Sequence, residues 1–192
     1  MARALCPNCK RPKARCFCRY IRPIANHTQI ILLQHPDESG HPKNTGELLH
    51  QCLASSELIV AECIDNTTDL SDTALLYPEQ PTSNRLTTQP PVSPKQNHHI
   101  KRLIVIDATW RKSRKMLHLN PWLGTLARLQ LDTIPASRYR IRTAADHDQL
   151  STFEASCYAL QQLEASPALC EQALRAFDDY INHLVSFDPN RR

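Results

Sequence analysis

Four cysteines near the amino end carry the plainest chemistry in the sequence: Cys6-Pro-Asn-Cys9, a spacer of six residues, then Cys16-Phe-Cys18. A CxxC turn points two thiolates at one ion, and a CxC pair adds two more from an extended stretch. Four sulfurs with no recruited histidine suit a closed, tetrahedral, structural zinc site, with Cys6, Cys9, Cys16 and Cys18 as ligands. A redox CxxC does not fit, because nothing before Cys6 can form the strand of a βαβ unit. Lys10, Arg11, Lys13, Arg15, Arg19 and Arg22 lie between and after the ligands, with Phe17 and Tyr20 interleaved. Cations neutralise phosphates and rings stack on bases, so this knuckle could grip RNA. A zinc-stapled cap with a solvated basic rim explains the same residues, and both readings stay open.

The second candidate is an acid. Leu103 to Ile106 form an unbroken apolar run that reads as a strand buried on both faces. It runs into Asp107, Ala108, Thr109 and Trp110, and then into the basic stretch Arg111–Lys115, which reads as helix. An acid at the carboxyl end of a buried strand sits where open α/β sheets bind ligands. The bland alternative is that Asp107 or Thr109 only caps the helix.

The remaining elements must bring other polar groups to that acid. Thr28–Gln34 reads as the first core strand, ended at His35-Pro36-Asp37-Glu38. Asn44 with Glu47 fits a capping box opening a helix through about Ala54, and such a helix start is an anion site. Leu58–Cys63 and Leu75–Pro78 read as short strands, and Ala127–Leu131 as another. Residues 79–99, rich in Pro, Ser, Thr, Gln and Asn, read as a mobile excursion before the central strand. Ser151 with Glu154 is a second capping box, starting a helix to about Glu164. Pro167 to about Phe187 keeps a helical apolar period and should pack one face on a sheet. Polar clusters at 35–46, 107–110 and 137–154 each follow an expected strand, so they are expected to converge at one end of the sheet.

The bulk numbers set limits. A chain of 192 residues with 41% hydrophobic and 22% charged residues suits one well-cored domain with a small appendage. The net charge of +4 is mild, and four zinc-bound thiolates would lower it to roughly +2. No h-region and no bilayer-length apolar run is present, so a cytoplasmic protein without membrane contact is expected. Cys52, Cys63, Cys157 and Cys170 stand singly in apolar segments and read as buried small hydrophobes. Three glycines exclude a Gly-rich dinucleotide fingerprint or a P-loop.

Together these segments resemble the DTW-domain family, the tRNA-uridine aminocarboxypropyltransferases. The resemblance rests on HPDE at 35–38, NTGELL at 44–49, DATW at 107–110, PASRYRIR at 135–142 and LSTFEA at 150–155, after CPNC and CFC at the start. Glu47 departs from it, standing where many members would carry a basic residue, and Thr143-Ala144-Ala145 is unremarkable. The resemblance implies a SPOUT-like α/β fold, a mostly parallel sheet with helices on both faces, compatible with a carboxy-terminal trefoil knot. Residues 1–24 would form the zinc motif and 25–192 the catalytic domain.

It further implies S-adenosylmethionine as donor of a 3-amino-3-carboxypropyl group to N3 of a tRNA uridine, with release of methylthioadenosine. Asp107 would be the general base. The cofactor side would draw on His35, Glu38, Asn44, Thr45, Gly46, Thr109, Trp110, Ser137, Tyr139, Arg142, Ser151, Thr152 and Glu154. Trp110 would stack on adenine or target base. Arg138, Tyr139, Arg140 and the Lys112–Lys115 run would touch RNA. The short, zinc-headed form resembles bacterial members acting on the tRNA variable loop, and no dedicated protein partner is implied. Two rival classes are a SPOUT-type RNA methyltransferase using the same cofactor and a non-enzymatic zinc-ribbon RNA-binding protein.

Overall fold

The apolar run ending in Asp107 forms the centre of a six-stranded sheet. The computed structural model describes residues 4–41, 44–65, 70–78, 89–94, 99–137 and 150–186. The strands are β1 (Gln29–Gln34), β2 (Ser56–Val60), β3 (Thr73–Leu76), β4 (Pro91–Val92), β5 (Arg102–Asp107) and β6 (Ala127–Leu129). The helices are α1 (Gly46–Cys52), α2 (Trp110–Leu119), α3 (Thr152–Leu163) and α4 (Glu171–Ser186). The order across the sheet is β2-β1-β5-β3-β6-β4, with every strand pair parallel.

Alternation along the strands divides the core into two layers, as a two-residue side-chain period requires. Ile30, Leu32, Leu103, Val105, Ala74 and Leu129 face α1, α3 and α4. Leu33, Ile104, Ile106 and Leu75 face Met116 and Leu117 of α2 and the turn at Leu123–Leu126. The expected α/β architecture, a parallel sheet covered on both faces, is therefore present. Phe17, Tyr20 and Ile24 of the cysteine-rich segment belong to the α1/α3/α4 layer, so the knuckle is packed into the main core.

Strand bounds differ from expectation in several places: β3 runs Thr73–Leu76 rather than Leu75–Pro78, and β6 stops at Leu129 rather than Leu131. The second strand ends at Val60, so Cys63 lies beyond it, and this cysteine is exposed rather than buried. Within the excursion at 79–99, Pro91–Val92 pairs with β6 at the sheet's edge, a position that tolerates proline. Most of the rest of that stretch lies outside the described residues. No helix among the described residues is long and apolar enough to cross a membrane.

Candidate active site

Strand order puts the acid at a particular place. From β1 the chain passes to β2 on one flank, whereas from β5 it passes to β6 on the other. Such a reversal opens a crevice beyond the carboxyl ends of the two strands, the usual ligand position in parallel sheets. Asp107 ends β5 there, in register with Gln34, which ends β1.

Asp107 is buried, 4% exposed. Gln34 Nε2 donates to its Oδ2 at 2.9 Å, Asn44 Nδ2 donates to the same oxygen at 2.5 Å, and Thr152 Oγ1 donates to Oδ1 at 2.7 Å. These donors come from the end of β1, the lead-in to α1 and the first residue of α3. A buried carboxylate without partners would be costly, and three fixed donors offset that cost. A carboxylate offers about four acceptor positions, so among the described residues one on Oδ1 is left for a further donor. Gly46 belongs to the same arrangement: a Cβ there would lie 2.8 Å from Asp107 Cγ. Only glycine lets the start of α1 approach the acid this closely.

The other expected residues fall into groups. Ser151 caps α3 in a full capping box: Glu154 N donates to Ser151 Oγ, and Ser151 N donates to Glu154 Oε2 at 2.8 Å. Glu154 is fully buried and also accepts from Ser137 Oγ at 3.1 Å, which draws the chain after β6 to the helix start carrying Thr152. His35 is buried, accepts from Asp37 N at Nδ1, and so carries its proton on Nε2, which meets Glu62 Oε1 at 2.6 Å. Glu38 pairs with Lys112 at 2.8 Å, and this carboxylate holds the Lys112 ammonium above its ordinary pKa. His35 and Glu38 thus lock the HPDE turn to the segment after β2 and to α2; they do not bond Asp107 through their side chains.

Thr45 is buried at the cap position of α1, and Thr109 stands at that of α2, yet neither side chain makes a capping hydrogen bond. The helix-cap alternative therefore fails for the side chains of both Thr109 and Asp107. Trp110 opens α2 with 43% of its surface exposed and its ring edge-on to Tyr77 at 5.8 Å. Tyr139 and Arg142, with Arg138 and Arg140, lie outside the described residues. Gln34 was not anticipated. Its only sequence signal was a glutamine closing an apolar strand, which reads equally as a strand edge.

The four cysteine sulfurs lie within 4.8 Å of one another, with Cys6–Cys18 and Cys9–Cys16 each at 3.7 Å. A tetrahedron of Zn–S bonds of about 2.3 Å has edges of about 3.8 Å, so the set fits one such ion. Backbone N–H groups of Cys9 and Asn8 hold the Cys6 thiol down at about 6, and burial pushes Cys18 up to about 12. The four sulfurs could hold a metal ion, and a bound cation would draw the thiols into their thiolate form.

The DTW domain model matches residues 3–185. The mouse protein "tRNA-uridine aminocarboxypropyltransferase 2" is 29% identical over 184 residues, 88% of this chain and 60% of its own length. Its Drosophila melanogaster namesake is 28% identical over 183 residues, 88% of this chain and 70% of the relative. The Arabidopsis thaliana "tRNA-uridine aminocarboxypropyltransferase A" is 34% identical over 133 residues, 60% of this chain and 50% of the relative. The chain thus spans only part of the length of each of these relatives. No solved structure matches it at a significant level. With its motifs in place from the cysteine cluster to the last helix, this chain belongs to the DTW domain family.

Proposed function

We propose that this chain transfers the 3-amino-3-carboxypropyl group of S-adenosylmethionine to N3 of a uridine in tRNA. The carrying observation is the convergence on Asp107 of Asn44 and Thr152, side chains from two other family segments, at the sheet's reversal point. The residues there fit a cofactor that bears an amino acid. Gln34 Oε1 is buried beside the acid and has no hydrogen-bond partner among the described residues, so an α-ammonium group would satisfy it.

Bound at this end of the sheet, S-adenosylmethionine supplies an electrophilic methylene carbon next to its sulfonium. The rest falls to the chain. Uridine N3 is a poor nucleophile until its proton leaves, and Asp107, held by three donors, presents the open position on Oδ1 to that proton. Trp110 offers a half-exposed ring to a base. Within the basic run of α2, Lys112 and Lys115 already pair with Glu38 and Glu62, while Arg111 and Arg114 are exposed and form no ion pair among the described residues. Those two arginines suit phosphate contact better. Arg142 is assigned to the cofactor carboxylate, and Tyr139 to the RNA, from the family resemblance alone. The four-cysteine cluster is assigned a structural zinc ion. The all-parallel order supports the SPOUT-like reading. The variable loop as target follows from the resemblance to short, zinc-headed bacterial members, and the cytoplasm is the proposed location.

The test is mass spectrometry of tRNA nucleosides from a deletion strain complemented with wild-type chain or Asp107→Asn. Wild type should restore the aminocarboxypropyl nucleoside, and purified protein should release methylthioadenosine. Asp107→Asn should lose about 10²- to 10⁴-fold in rate, the range for a general base. Release of S-adenosylhomocysteine would show a methyltransferase, and unmodified tRNA with tight binding an RNA-binding module.

A further inference from the structure

The cysteine cluster and the acid are joined by one buried arginine. Arg11 is 2% exposed, follows the CxxC turn by two residues, and lays its guanidinium over the Phe17 ring at 4.8 Å. Its backbone is fixed by the metal loop, since Cys6 N donates to Arg11 O at 2.8 Å and Lys10 N donates to Cys6 O at 3.0 Å. Lys10 itself turns through a left-handed φ of 57° to make that path. From there Nη1 donates to Tyr180 OH of α4 at 3.0 Å, and Nη2 donates to Glu47 Oε2 and to the carbonyl of Asn44, each at 3.1 Å.

Asn44 is the second joint. Its carbonyl is held by Arg11, while its side chain donates to Asp107 Oδ2 and accepts from Glu47 N at 3.1 Å and Gln34 Nε2 at 3.3 Å. Every polar group of the Asn44 side chain is therefore committed around the acid, and the main-chain carbonyl is committed to Arg11. Burying a guanidinium is unfavourable unless it is paired in a fixed geometry. Glu47, the departure from the family pattern, is the charge that makes this burial tenable.

We propose that Arg11 is a positioning residue: it ties the cysteine loop to Asn44 and, through Asn44, sets where the Asp107 carboxylate sits. The proposal rests on the reading of Asp107 as the base, but its test does not need turnover. In Arg11→Lys the charge facing Glu47 is kept while the planar fork that reaches Asn44 and Tyr180 together is lost. The ¹³C resonances of the Asn44 carbonyl and the Asp107 carboxyl are to be recorded in wild type and variant, without cofactor or tRNA, at measured zinc content. Both should shift in Arg11→Lys with zinc retained, and kcat should fall about tenfold or more with KM for each substrate within a fewfold of wild type. Should Arg11→Lys not fold, Tyr180→Phe removes the Nη1 anchor, together with the 3.5 Å hydrogen bond from the Tyr180 hydroxyl to the Arg15 carbonyl, and should move the same two resonances. Unmoved resonances with wild-type kcat would overturn the proposal, leaving Arg11 as a staple. A fully active Asp107→Asn would instead overturn the base assignment, and the resonances would still decide the role of Arg11.

Discussion

At the scale of single residues, the site depends on how closely its parts are packed. A methyl at Gly46 would meet the Asp107 carboxylate, which Gln34, Asn44 and Thr152 hold in place and cannot easily release. Gly46→Ala is therefore expected to destabilise the fold by about 1–3 kcal/mol, as overpacking does, and to depress activity at temperatures where the protein stays folded. Urea denaturation and a parallel transfer assay would check the two effects. The acid stood out in the sequence by its place after a four-residue apolar run, but that run alone fits a helix cap as well, and only the family resemblance singled Asp107 out as a base. Its partners were legible less evenly. Asn44 and Thr152 were named as site residues without being placed against the acid, and Gln34 passed as a strand end because sequence carries no cross-strand register. His35 and Glu38 look alike in sequence to groups that touch a ligand, but their partners are Glu62 and Lys112.

At the scale of elements, short polar ties decide where helices and turns dock. Glu62, in the turn after β2, receives Lys115 of α2 and His35 of the HPDE turn. The Lys115 hydrogen bond, against an opposing contribution from desolvation and with help from His35, holds its carboxyl below the ordinary 4.5. A depressed folded-state pKa means the unfolded chain takes up the proton first on acidification. The stabilisation is therefore present above 4.5 and is lost as pH falls through the folded value. Glu62→Gln should lower Tm near neutral pH, and the gap to wild type should close on acidification; melting curves from about pH 7 to about pH 3 would show it. Helix starts were the best-read elements. Ser151 and Glu154 form the box their spacing predicts. The box at Asn44 is only half formed, because the Glu47 side chain turns to Arg11 and to the Gly40 amide instead of reaching back. That competitor comes from a remote segment, which local spacing cannot reveal.

At the scale of the molecule, parallel layering followed from apolar runs without alternation, but strand order did not, since burial does not say which strand is the neighbour. The knuckle shows the same limit: its spacing gave the four sulfurs, not the core they sit on. Because Phe17 and Tyr20 pack on Tyr180, loss of the ion should be felt well beyond the loop. Chelation, or Cys9→Ser, should lower Tm and broaden the melt, with elemental analysis giving about one zinc per folded chain before treatment and none after. Unchanged melting after complete metal loss would count against a structural ion.

The Arg11–Tyr180 bond spans 169 residues of sequence. Alongside it, His183 meets the Ala14 carbonyl and Arg19. The cysteine loop can gather itself at once, since closing a short loop costs little entropy. Its seat on the core cannot exist until α4 has been synthesised. The knuckle precedes α4 in the chain, so during translation the rings that pack on Tyr180 wait uncovered on that side until α4 is made. Contacts of such long range are slow to form, and the step that completes the site is then among the last in folding.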